Sequence, residues 1–205
     1  FNAAGSPAPR TAFAKVTVNG KNHGVYTHVE TVRKTVLKRG FGNDDGTLYE
    51  GTVVDFYNGW EGSFERKTGD DKAGRAHIRK LIELSEGDSV TEEAIGELVD
   101  LDSFYRFWAM EGLLGFWDGY SGNANNFFAY LNPKTNKFHF MPWGADSLFK
   151  KRSMLNFDFR APLSVKTKGR IAYHLYQTEA GRDRYRKTLH GLLKEHWNEE
   201  ELLAE

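Results

Sequence analysis

The chain has 205 residues, enough for one substantial core, and its 15 Phe, 9 Tyr and 5 Trp within a 40% hydrophobic composition can fill it. Twenty-eight basic residues balance 28 acidic ones, so no global field draws in nucleic acid or anionic lipid. With no cysteine, thiolate metal sites, cysteine nucleophiles and disulfides are excluded, and no apolar run approaches the ~18 residues of a membrane-spanning helix.

Residues 1–10 are rich in Ala, Gly and Pro and read as an extended lead-in. Residues 14–18 and 24–30 alternate in polarity around Asn19-Gly20, which predicts a β-hairpin turning on Asn-Gly. Residues 31–39 predict a short helix ended by Gly40, Asp44-Asp45-Gly46 a turn, and residues 47–54 a further strand. The polar, Gly-rich stretch 57–71 reads as irregular. Helices follow over 73–84, over 91–99, and from Ser103 to about Trp117 with Asp100 or Asp102 as cap. The third of these is apolar on more than one side, the mark of a buried helix, and is expected to deliver Asp118 at its C-terminal end. A second hairpin is predicted over 127–130 and 138–141, turning through Asn132-Pro133, and helices over 171–176 and 183–196 close the chain.

Chemistry concentrates around that second hairpin. Asp118 precedes a Gly/Asn-rich loop, Asn126 leads into the first strand, and Asp146 follows the second. Kinase-type phosphoryl transfer uses these parts in this order: one Asp for the acceptor hydroxyl, an Asn and a second Asp for the magnesium that bridges the nucleotide phosphates. A carboxylate at a helix C-terminus is disfavoured by the macrodipole, so Asp118 calls for another reason to be there. Asn123, five residues after Asp118, has the interval of the kinase catalytic-loop motif and competes with Asn126 for the metal role. The position of Asn126 against the strand favours Asn126. The basic run Lys150-Lys151-Arg152 reads as a solvated face, and residues 40–46 only imitate a phosphate-cradling glycine loop. The seven His form no metal-ligand spacing.

Residues 24–30, Gly46-Thr47-Leu48-Tyr49, Asp100-Leu101-Asp102-Ser103-Phe104, Trp117-Asp118-Gly119-Tyr120, Asn125-Asn126-Phe127 and Pro142-Trp143-Gly144-Ala145-Asp146 together resemble the spore-coat protein H (CotH) kinase family. The resemblance runs from about Arg10 to the C-terminal helices and rests on the order and spacing of these motifs. It implies an α+β, reduced, atypical protein-kinase-like fold, with a β-hairpin remnant of the small lobe at 14–30 and a mostly helical C-terminal lobe over 31–205. It further implies ATP and Mg²⁺ or Mn²⁺ as cofactors, Asp118 as the catalytic residue, metal ligation at Asn126 and Asp146, and Glu30 near the hinge against the adenine. The implied partner is a protein substrate, a coat or surface protein bearing Ser or Thr, and the implied location is extracellular, cell-surface or spore-associated.

Two departures stand out. The family often carries W-D-x-D where this chain has Trp143-Gly144-Ala145-Asp146, so one carboxylate is missing. The chain also starts at Phe1, and the expectation is that it lacks the start of its small lobe, with the phosphate-binding Lys and its Glu partner. Two other functions compete with phosphotransfer. One is a non-catalytic scaffold in a coat or surface layer. The other is a carbohydrate-active domain, suggested by exposed-looking Tyr57, Trp60 and Trp117 near carboxylates.

Overall fold

The computed structural model describes residues 1–87, 89–149 and 165–204; the basic run at 150–152 lies outside them. Two antiparallel sheets and a set of helices make a mixed α+β chain. Strands β1 (Thr11–Val18) and β2 (Lys21–Val29) form a hairpin of their own. Its turn is Asn19-Gly20, both at positive φ (50° and 80°), the geometry that matches the twist of a two-residue hairpin. Helix α1 (Lys34–Phe41) follows and ends at Gly42 in the left-handed conformation, two residues beyond the expected Gly40.

β3 (Thr47–Gly51) is shorter than predicted and pairs with β4 (Glu65–Thr68), a strand the sequence concealed inside a stretch read as irregular. Helices α2 (Asp71–Ser85) and α3 (Glu92–Leu98) come next, capped by the side chains of Asp70 and Thr91. Helix α4 (Leu101–Leu113) is capped by Asp100, whose carboxylate accepts from the Ser103 N–H at 2.9 Å. The one-turn helix α5 (Tyr120–Asn123) leads to β5 (Phe127–Asn132) and β6 (Lys137–Pro142). Helices α6 (Arg170–Gln177), α7 (Glu179–His196) and α8 (Glu199–Ala204) complete the described chain.

The second sheet has the order β4-β3-β5-β6, and every residue of β5 is buried. Strand alternation explains how that is possible. Phe127, Ala129 and Leu131 face one core together with Phe138 and Phe140 of β6 and Phe104, Phe107 and Trp108 of α4. Phe128 and Tyr130 face a second core with Val36 and Leu37 of α1 and Met141. The sheet is thus filled on both faces, and α4, with nine of its thirteen residues buried, is the spine of the larger core. Phe140 anchors that core, with ring centroids 5.1 Å from both Phe104 and Tyr120.

Two expectations need correction. Helix α4 ends at Leu113 rather than near Trp117, because Gly115 takes a φ of 60° that no helix continues through. Leu114 is the half-buried cap, and Trp117, read as exposed, is buried. The first hairpin is not packed against the body along its length: Phe13 is 85% and Val25 70% exposed. It is held at its base, where the Glu30 carboxylate accepts from Arg10 (3.1 Å) and Arg39 (2.8 Å). The Gly40–Gly46 stretch, which only imitates a phosphate-binding loop, has a packing role at Gly46. The Gly46 N–H donates to the Tyr130 hydroxyl at 3.1 Å, and a side chain at 46 would strike β5.

Candidate functional site

Since α4 stops early, Asp118 does not sit on a helix C-terminus. It lies in the turn just before Gly119, the N-cap of α5, so the dipole argument against a carboxylate no longer applies. What holds Asp118 is the following loop. Its Oδ1 accepts from the side-chain amides of Asn123 (2.8 Å) and Asn125 (3.1 Å), and its Oδ2 from that of Asn126 (2.9 Å). The Asn126 amide also donates to the Asp118 carbonyl at 3.1 Å. Three Asn of the Ser121–Asn126 stretch therefore converge on one carboxylate. These bonds use three of the roughly four acceptor positions a carboxylate offers.

The loop reaches that geometry through left-handed backbone at Ala124 and Asn126, both at a φ of 49°. Asn tolerates this region better than most residues. Each amide oxygen is then aimed differently. The Asn123 oxygen accepts from Lys168 Nζ at 2.8 Å and the Asn125 oxygen from the Val53 N–H at 3.0 Å. The Asn126 oxygen faces Gly144: a Cβ built there would lie 3.0 Å from it. The Trp143 N–H donates to the Asn126 carbonyl at 2.9 Å, and the Asp146 N–H to the Gly144 carbonyl at 2.8 Å. The structure thereby brings Asp118, Asn123, Asn126 and the segment leading to exposed Asp146 into one neighbourhood. Glu30 belongs to the base of the first hairpin, where Arg10, chiefly, and Arg39 pull its carboxyl down to about 2.

Two buried carboxylates that sequence reasoning passed over support the loop from beneath. Glu111 of α4 is buried and accepts from the N–H groups of Tyr120 and Ser121, each at 2.8 Å. Burial outweighs these bonds and pushes its carboxyl up to about 7. Asp55 accepts from the Tyr120 hydroxyl (3.0 Å) and the Arg170 N–H (2.7 Å), and burial raises it to about 6. A Glu in the middle of a Phe/Trp-rich helix was the available signal for the first. Asp55 had none, since its partners lie 65 and 115 residues away.

The side chain facing Gly144 is the Asn126 amide, oxygen foremost, and an amide oxygen suits a hard cation. Among the described residues no group of three or more His, Cys, Asp or Glu converges. An ion here would therefore be completed by oxygens from its substrate, the usual habit of Mg²⁺ at phosphate sites.

The family model described as CotH kinase protein matches residues 1–205. Among curated proteins, the inner spore coat protein H of Bacillus subtilis (strain 168) is 29% identical over 163 residues, covering 72% of this chain and 43% of that protein. The chain thus spans less than half the length of that relative.

Proposed function

The chain belongs to the CotH kinase protein family, and from that premise we propose that it is the catalytic part of an ATP-dependent phosphotransferase acting on Ser or Thr of a protein. The convergence of three Asn amides on Asp118, with the Asn126 amide oxygen turned toward Gly144, carries this reading. Asp118 is the group that orients the acceptor hydroxyl through its carboxylate and receives its proton. As the hydroxyl oxygen bonds to the γ-phosphorus, the bond to the β–γ bridging oxygen breaks and ADP leaves. Asn126 and Asp146 hold Mg²⁺ or Mn²⁺, which when bound neutralises charge on the nucleotide phosphates.

The fit to a cation rests on one orientation. The Asn126 amide nitrogen is committed to Asp118, so its oxygen is turned toward Gly144, where a side chain would crowd it. Asn123 serves the carboxylate and Lys168 in this scheme, and the metal role falls to Asn126. Glu30, tied to Arg10 and Arg39, orients the chain at the hairpin base rather than offering its carboxylate to an adenine. The protein substrate is proposed to be a coat or surface protein, by likeness to a relative named as a spore coat component, and the location spore-associated.

One observation favours a second reading, a non-catalytic scaffold. Gly144 stands where the family pattern often has a carboxylate, so the ion would have fewer protein charges around it. Manganese separates the two. With ATP present, Mn²⁺ should broaden the amide resonances of Asn126 and of residues 143–146 while leaving those of the first hairpin sharp. If Mn²⁺ and ATP together broaden no resonance in either segment, the metal assignment is wrong and the scaffold stands.

A further inference from the structure

We propose that Asn125 is a positioning residue that locks the loop after β3 to Asp118 and so holds that carboxylate in place for the acceptor hydroxyl. The inference rests on the phosphotransfer reading and adds a positioning residue to it. The two ends of the Asn125 amide do different things. The nitrogen donates to Asp118 Oδ1 at 3.1 Å, and the oxygen accepts from the Val53 N–H at 3.0 Å. The next amide, that of Val54, donates to the Ala124 carbonyl at 3.0 Å. Two consecutive bonds thus lace residues 53–54 to the loop that carries the catalytic carboxylate's donors.

Val53 has a conformation that its own sequence would not choose. It is β-branched yet lies at a φ of 47°, where Cβ branching is sterically costly. Its side chain is 62% exposed, so core packing does not hold it there. The residues on its far side do the anchoring: Val54 and Phe56 are fully buried, and Asp55 is bonded to Tyr120 of α5. The lock by Asn125 and Ala124 therefore sustains a strained, solvent-facing apolar residue one side chain away from Asp118.

The test uses the native full-length protein with Asn125→Ala and Asn125→Asp. Asp at 125 can still accept from the Val53 N–H but cannot donate to Asp118, so the pair of variants separates the two halves of the lock. Hydrogen exchange needs no turnover. The Val53 amide should exchange about tenfold faster in Asn125→Ala, the loss of one net hydrogen bond, and less so in Asn125→Asp, whose carboxylate still accepts from Val53 but is repelled by Asp118. With dephosphorylated casein as acceptor, both variants should lose up to ~10²-fold in kcat/KM for casein, as expected of a misplaced reacting group, with KM for ATP unchanged. Unchanged Val53 exchange in Asn125→Ala overturns the lock. Casein kinetics intact in both variants overturn the positioning role. A wild-type protein that transfers nothing to casein or to itself, with the exchange result as expected, refutes the phosphotransfer reading and the positioning role with it, while the lock stands.

Discussion

The two sheets of this chain are built from similar strands and held together by opposite means. In β3, β5 and β6 both faces are covered, Phe140 and Phe127 are fully buried, and these strands are a wall between two cores. In β1–β2 nearly every residue is exposed, including Phe13, Val25 and Tyr26. Its order comes from a favourable turn at Asn19-Gly20 and from one ionic clasp, Arg10–Glu30–Arg39, at its base. An isolated two-stranded hairpin is marginal in water. The lesson is that strand propensity is common to both regions, while burial belongs to one, and the candidate site is built on the buried one.

The sharpest way to break this comparison is to truncate one Phe in each sheet. Phe140→Ala should cost ~3–5 kcal/mol, the range for a buried aromatic. Phe13→Ala should stay within about 0.5 kcal/mol, as for surface substitutions. Denaturant midpoints of the two variants measure both, and equal losses would mean that the hairpin is packed in solution.

Acidity offers the next contrast, because the regions titrate in opposite directions. Burial raises the carboxyls of Glu111 to about 7 and Asp55 to about 6, so their contribution to stability is full below the ordinary carboxylate range. It is lost as pH rises through those values, by roughly 3 kcal/mol for Glu111 at ~1.4 kcal/mol per unit. Thermal midpoints should therefore fall between pH 4.5 and 8, and less steeply in Glu111→Gln. Parallel profiles for the two proteins would contradict a buried, titrating Glu111.

Glu30 behaves conversely and with a smaller, local effect. Its carboxyl is held down to about 2 against an ordinary value of 4.5. The clasp is therefore intact above pH 4.5 and released as the pH falls through about 2. Amide exchange corrected for intrinsic rate should show β1–β2 opening in acid before β5–β6 does. Glu30→Gln should open the hairpin at neutral pH, and hairpin protection that survives in this variant would remove the clasp.

How much of this was readable beforehand depends on how local each cause is. The Asn19-Gly20 turn, the Asp100 cap and the β5–β6 hairpin are written in short runs of residues, and the structure has them where the sequence suggested. The association of Asp118 with Asn123 and Asn126 was legible for the same reason, all three lying within nine residues. The end of α4 was misjudged because Phe116 and Trp117 continue the apolar pattern after the backbone has turned at Gly115. β4 was missed because Glu65-Arg66-Lys67-Thr68 is a polar edge strand whose order comes from pairing with β3. Asn125's second role, and those of Asp55 and Glu111, depend on partners brought together only by the finished fold.

The central claim is that Asp118 acts on the acceptor while Asp146 acts on the metal. It is tested most directly by measuring transfer of radiolabelled phosphate and calorimetric Mg·ATP binding on the same preparations of Asp118→Asn and Asp146→Asn, in the native full-length protein. Asp118→Asn should bind Mg·ATP like the wild type while transfer falls by ~10²–10⁴-fold, the loss typical of a general base. Asp146→Asn should lose metal-dependent binding itself. Transfer that persists at the wild-type rate in Asp118→Asn would contradict the assignment outright.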